Sequence, residues 1–189
     1  MARWKPDARG RLQRAALELY SKRGFDQTTV AEIAQQAGLT ERTYFRHFTD
    51  KREVVFWGES EMHELFVNAV AGAAESASPI DAIGEGLQAT LLYFADIPRE
   101  LAQQRRAVIA SNAGLQEREL IKYSTLEAGI ADALCKRGTG VLTANLTAAT
   151  AVSLFRVAVQ SWIEDTKARE LSHHIHESLV ELKALAADS

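Results

Sequence analysis

Thr40-Glu41-Arg42-Thr43-Tyr44-Phe45-Arg46-His47-Phe48 places two arginines, a glutamate, two threonines and a histidine within nine residues, directly after Gly38-Leu39. These side chains suit the base edges of a DNA major groove. An arginine can donate twice to guanine, a glutamate can accept from the cytosine amine, and a threonine methyl can touch the thymine methyl. Glu41, Arg42 and Thr43, following Thr40 as the helix cap, are the candidates for that work. His47 and Lys51 lie further along, where they could meet phosphates. Thr28 and Thr29 could hold another phosphate through a hydroxyl and the backbone N–H groups of a helix start. Each also has a plain reading: Thr29 is a cap with or without DNA, and Glu41 and Arg42 suit a solvated helix start.

Such residues work only if two short helices and a tight turn hold them. Leu12, Ala15, Ala16, Leu19 and Tyr20 recur at the spacing of one buried helical stripe, predicting a first helix over about 7–23 with Gly24 as its stop. Thr29-Val30-Ala31-Glu32 is a capping box that starts a second helix, and Gly38 permits the turn after it. The third helix follows Thr40, with Tyr44 and Phe48 as core anchors. Phe45 falls off that stripe. It either packs on the first helix, the preferred reading, or lies against the sugar-phosphate backbone. Asp50 and Glu53 form a second capping box, predicting one long helix from Asp50 towards Ala74. Further helices are expected at about 80–95, 99–112, 115–137, 143–165 and 171–187, making an all-α chain of about nine helices. Pro6, Pro79 and Pro98 all sit where a helix can begin.

From Arg11 to Val55 the chain resembles the DNA-binding domain of the TetR family of bacterial regulators. The resemblance rests on Ala15-Ala16, Leu19-Tyr20, Gly24-Phe25, Thr28-Thr29-Val30, Ile33-Ala34, Ala37-Gly38-Leu39, Thr43-Tyr44-Phe45-Arg46-His47-Phe48 and Lys51. It implies a three-helix helix-turn-helix head over residues 1–50, joined by a long helix to a ligand-binding and dimerisation body over 51–189. It also implies that Thr29, Thr43, His47 and Lys51 occupy operator-contacting positions. Phe45 departs from the pattern, because the family often has a tyrosine there whose hydroxyl bonds a phosphate; Arg46 or His47 would replace that contact. An N-terminal arm with Arg3, Lys5, Arg9, Arg11 and Arg14 either reaches the DNA or frays.

The body offers two candidate surfaces. The helix near 143–165 is apolar around most of its circumference, so it needs cover on more than one side. Leu154, Phe155, Ala158 and Trp162, with Ile175, Leu179 and Leu182 of the last helix, are the candidate dimer contacts. In the resemblance these two helices build a four-helix bundle across a twofold axis; a plain core helix is the competing reading. Trp57, Met62, Phe66, Tyr93, Phe94, Tyr123 and Phe155 are the candidate lining of an effector pocket.

Charge is uneven: residues 1–56 carry 11 Lys and Arg against 7 Asp and Glu, whereas residues 57–189 carry 11 against 18. A basic head and an acidic body follow, within a net charge of −3. Cys135 is the single cysteine, which excludes an internal disulfide and fits a reducing cytoplasm. No apolar run follows Met1, so no signal peptide is expected, and Asn145, Ser153, Arg156 and Gln160 make 141–163 too polar for a membrane span. His173 and His176 share a helix face without a nearby cysteine, so no metal is expected. No nucleophile–base set or phosphate loop stands out, so neither an enzyme nor a cofactor is expected. The resulting expectation is a cytoplasmic, nucleoid-associated homodimer on a double-stranded palindromic operator, released by an unknown small-molecule effector. A small enzyme with a structural head, or a DNA-binding protein without an effector, are the competing functions.

Overall fold

The computed structural model describes residues 7–187, with side chains to Leu185. Arg3 and Lys5 of the basic arm lie outside the described residues. Ten helices, and no strand among the described residues, follow in order. They are α1 (Ala8–Arg23), α2 (Val30–Gln36), α3 (Glu41–His47), α4 (Glu59–Gly72), α5 (Pro79–Ala89), α6 (Leu91–Phe94), α7 (Arg99–Ala110), α8 (Ala113–Lys136), α9 (Val141–Glu164) and α10 (Leu171–Ala187). The all-α expectation holds.

The chain divides into two compact units. The head unit joins the segment ending at Trp57 to Glu100–Leu120. Local signals set its helices. Asp7 caps α1 by accepting from the Gly10 N–H at 2.8 Å, and Lys22 and Arg23 fill the last turn against the negative helix end. Thr29 and Glu32 satisfy each other's backbone N–H groups at the start of α2. Leu12, Ala16, Leu17, Ile33, Tyr44, Val54 and Val55 close the core. Val108, Ile109 and Leu115 complete it, so α7 and the first turns of α8 are part of this unit's packing. Each large side chain fully withdrawn from water contributes about 1.5–3 kcal/mol.

The long helix expected from Asp50 does not form as one piece. Asp50 accepts from the Arg52 and Glu53 N–H groups as a cap should, at 2.7 and 3.3 Å. The next bonds are short-range, from Val55 N to Arg52 O and from Phe56 N to Glu53 O, and residues 51–58 run as successive turns. Gly58 then takes a left-handed φ of 86° at the N-cap of α4. A Cβ there would meet Tyr93 Cε2 at 2.6 Å, so both dihedral and space demand glycine.

The body unit comprises Gly58–Arg99 and the chain from Ile121 onward. Within it α9 packs against α5 and α10, and α4 against α5. The single helix expected over 80–95 breaks at buried Thr90, whose hydroxyl turns back to the Leu87 carbonyl at 2.7 Å. Contrary to the sequence reading, α9 is long and apolar enough by composition to cross a bilayer. Ten of its residues, from Ala144 to Ile163, are nevertheless buried, which is the pattern of a central core helix.

The turn between α9 and α10 is held by charge and hydrogen bonds. Asp165 accepts from the Lys167 and Arg169 N–H groups and from Arg169 Nε. Those donors, the Lys167 N–H foremost, hold its carboxyl well below the usual carboxylate range. Arg99 donates to the carbonyls of Asp165 and Arg169 and lies over the Trp162 ring.

Candidate nucleic-acid interface

The turn between α2 and α3 is built from backbone bonds. Gly38 takes a φ of 64°, its N–H donates to Gln35 O at 2.9 Å, and Leu39 N donates to Ala34 O at 2.8 Å. Thr40 then caps α3 through the Thr43 N–H at 3.2 Å. At 100° per residue, α3 turns Tyr44 inward and Glu41, Arg42, Phe45 and Arg46 outward. Tyr44 is fully buried and its hydroxyl donates to the Asp50 and Lys51 carbonyls at 3.3 Å each. The outward face is thus a rigid platform with two guanidinium groups, one carboxylate and one aromatic ring.

Phe45 is 53% exposed, which overturns its preferred reading as a core residue packed on α1. Its position 100° from Tyr44 on a seven-residue helix leaves it on the outward face. Thr43 is half-buried, with its hydroxyl 3.1 Å from that of Thr40. His47 is also half-buried. Its Nδ1 accepts from Arg9 Nε at 3.4 Å, while Nε2 is buried without a hydrogen-bond partner among the described residues. Burial, then Arg46 and Arg9, push its pKa below the ordinary value, which favours the neutral ring.

Three expectations change. Thr28 is buried and its hydroxyl donates to the Gly24 carbonyl at 2.9 Å, so its side chain fastens the loop instead of facing outward. Lys51 Nζ donates to the Phe25 and Thr28 carbonyls at 2.8 and 3.0 Å and lies 4.1 Å from the Phe25 ring centroid. Its ammonium clips the α1–α2 loop. The start of α2, expected to hold a phosphate beside Thr29, is filled by the Glu32 carboxylate, which takes the Thr29 N–H at 2.8 Å and pairs with Arg23 at 2.8 Å. Of the basic arm, Arg9 is exposed beside His47, Arg11 donates to the Ala37 carbonyl, and Arg14 faces Asp7 at 3.6 Å.

The body candidates scatter. Met62 and Phe66 are buried on α4, Tyr93 lies against Gly58, and Tyr123 lies under the Arg156 guanidinium. Phe94 meets Trp162 edge-on at 5.7 Å and Phe155 at 6.1 Å, whereas Trp57 packs on the head core. Several of these side chains are spent on packing. Clefts of about 560 and 640 Å³ are lined instead by residues of α4, α5, α9 and α10. Of the dimer candidates, Phe155, Ala158, Trp162 and Ile175 are buried within their own unit and are withdrawn from that role. Leu179 lines the smaller cleft, facing Gly84. Leu154 and Leu182 line the larger one, an open groove between α9 and α10 that also takes in Val157, Val180 and Leu185. Leu142, Leu146 and Val157 form an exposed stripe on α9 that sequence reasoning missed. A helix apolar all round has no phase from which to choose that face.

Residues 12–56 match the family model for bacterial regulatory proteins of the tetR family, and residues 77–187 match that of the MftR C-terminal domain. The chain is 36% identical over 83 residues to the HTH-type transcriptional regulator TcmR of Streptomyces glaucescens, covering 44% of this chain and 37% of TcmR. It is 26% identical over 156 residues to the putative mycofactocin biosynthesis transcriptional regulator MftR of Mycobacterium tuberculosis, covering 79% of this chain and 77% of MftR. A crystal structure of a TetR transcriptional regulator from Nitrosomonas europaea shares the fold, with a TM-score of 0.62 at 15% identity over 96% of this chain and 98% of the other.

Proposed function

The chain belongs to the TetR family of bacterial regulatory proteins, and on that premise we propose that it is a sequence-specific DNA-binding transcriptional regulator. The observation that carries this reading is the outward face of α3, where Arg42, Arg46 and Glu41 stand exposed over a buried Tyr44. Arg42 and Glu41 read base edges, Arg46 meets a phosphate, and Thr29, Thr43 and His47 flank them. Two heads act together as a homodimer on a palindromic operator, since twofold symmetry in the protein matches twofold symmetry in the site. The partner covers the apolar stripe of Leu142, Leu146 and Val157 and the groove containing Leu154, Val180, Leu182 and Leu185. The protein works in the cytoplasm as a repressor. A small molecule held by the body releases the operator because it binds the DNA-free conformation better.

The test is selection of bound duplexes from a random pool, followed by anisotropy titrations at several salt concentrations. A recovered palindrome, with affinity far above that for random DNA and falling steeply with salt, supports the reading. Arg42→Ala is expected to lose discrimination at one position per half-site, worth about 1–3 kcal/mol. Weak binding equal on all sequences overturns it.

A further inference from the structure

We propose that Phe45 is a specificity-determining residue that reads the C5-methyl group of a thymine in each half-site. The inference rests on the operator reading above. Phe45 is 53% exposed in the middle of α3, on the face that carries Glu41, Arg42 and Arg46. The head core is closed beneath it by Tyr44, whose ring meets that of Phe45 edge-on at a centroid distance of 5.5 Å and an angle of 77°. That contact holds the phenyl group in place without covering it. The exposed ring therefore adds nothing to the core and leaves apolar area to be covered by whatever α3 meets.

The flanking groups say what that is. Two guanidinium groups on one short face draw a polyanion, and a helix set into the major groove brings its outward side chains to base edges. A phenyl group has no hydrogen to donate to a phosphate or a base. The thymine methyl is the apolar feature of the major-groove edge, and aromatic contact with it distinguishes thymine from the other bases. The chemistry recognised is a methyl group on pyrimidine C5. In synthetic duplexes without methylated cytosine, thymine is its only source. A ring lying on deoxyribose would gain apolar contact too, but with no preference for any base.

The experiment uses the purified full chain and a duplex recovered by selection from random sequence. Each thymidine is replaced in turn by deoxyuridine, which removes only the methyl group, and affinity is read by anisotropy at fixed salt. Wild-type protein is expected to lose about 4-fold at one position per half-site, the value of one buried methyl group, and about 15-fold when both half-sites are changed. Phe45→Ala is expected to keep its thermal midpoint, since the ring is largely exposed, and to bind the thymine and uracil duplexes within about 2-fold of each other. A flat uracil scan on a tightly bound duplex overturns the inference alone. So does a Phe45→Ala loss that is equal on selected and random DNA, which places the ring on the sugar. Failure to recover any preferred duplex overturns the operator reading, and the inference with it.

Discussion

The Lys51 ammonium donates to the Thr28 backbone carbonyl across 3.0 Å. The same nitrogen reaches the Phe25 carbonyl, while the carbonyl of Lys51 accepts from the Tyr20 and Tyr44 hydroxyls at 2.9 and 3.3 Å. One residue thereby ties the middle of α3, the α1–α2 loop and the last turn of α1. Charge-assisted bonds of this kind contribute about 1.5–3 kcal/mol. Lys51→Ala is expected to lower the unfolding free energy by that amount, seen as a lower urea midpoint with an unchanged m-value. If the ammonium serves the loop and not a phosphate, the salt dependence of DNA binding stays the same. A slope reduced by about one unit would instead assign it a phosphate.

Tyr20 and Tyr44 point the same way. Burial pushes both phenols well above the ordinary tyrosine range, with neighbouring Asp50 adding to the effect in each. The folded head keeps these protons at a pH where the unfolded chain releases them. Stability is therefore fully present below about pH 10 and falls as pH rises beyond it. Spectrophotometric titration is expected to show two of the four tyrosines ionising only together with unfolding. Tyr44→Phe, which leaves its two carbonyls without that donor, is expected to cost about 0.5–1.5 kcal/mol.

Features readable in the sequence were those made by residues close along the chain. Thr29 with Glu32, Thr40 before α3, and the stops at Gly24 and Gly38 are contacts over three to five positions, so residue type alone predicts them. Contacts across long separations left no such mark. Nothing local to Arg105 announces that its Nε donates to the Val55 carbonyl at 2.9 Å, or that Arg118 meets Glu53 at 2.7 Å. The recruitment of Val108, Ile109 and Leu115 into the head core was equally hidden. Gly58 was passed over because a helix pattern surrounds it, and its left-handed backbone shows only in three dimensions. Lys51 looked like a phosphate contact because a cation beside a recognition helix has the same sequence signature whether it meets DNA or a carbonyl.

His63 gives the body a pH dependence of its own. It lies half-buried on α4, one turn from Glu59, whose carboxylate is 4.0 Å from Lys122 on α8. Burial first, and then the Lys122 charge, depress its pKa to about 4. The folded body therefore excludes a proton that the unfolded chain accepts below about pH 6.5. Stability is present above that value and is lost as pH falls towards 4. His63→Gln is expected to flatten the dependence of the thermal midpoint between pH 6.5 and 4.5. An unchanged slope in that variant would locate the acid sensitivity elsewhere.

Val157 and Phe155 lie two positions apart on α9 but face different surroundings. Val157 is 60% exposed and lines the groove with α10, whereas Phe155 is buried beside Phe94 within its own unit. The two substitutions are therefore expected to separate assembly from folding. Val157→Asp places a charge on the proposed partner face, where it costs little in a folded monomer and prevents close apolar contact between two copies. Sedimentation is expected to find a folded monomer, with operator affinity weakened because only one head engages at a time. Phe155→Ala removes a buried ring and is expected to cost about 3–5 kcal/mol of body stability. It leaves the partner face intact, so whatever remains folded should sediment as a dimer. A Val157→Asp protein that stays dimeric would move the twofold interface off α9 and α10, and with it the surface that pairs the two heads.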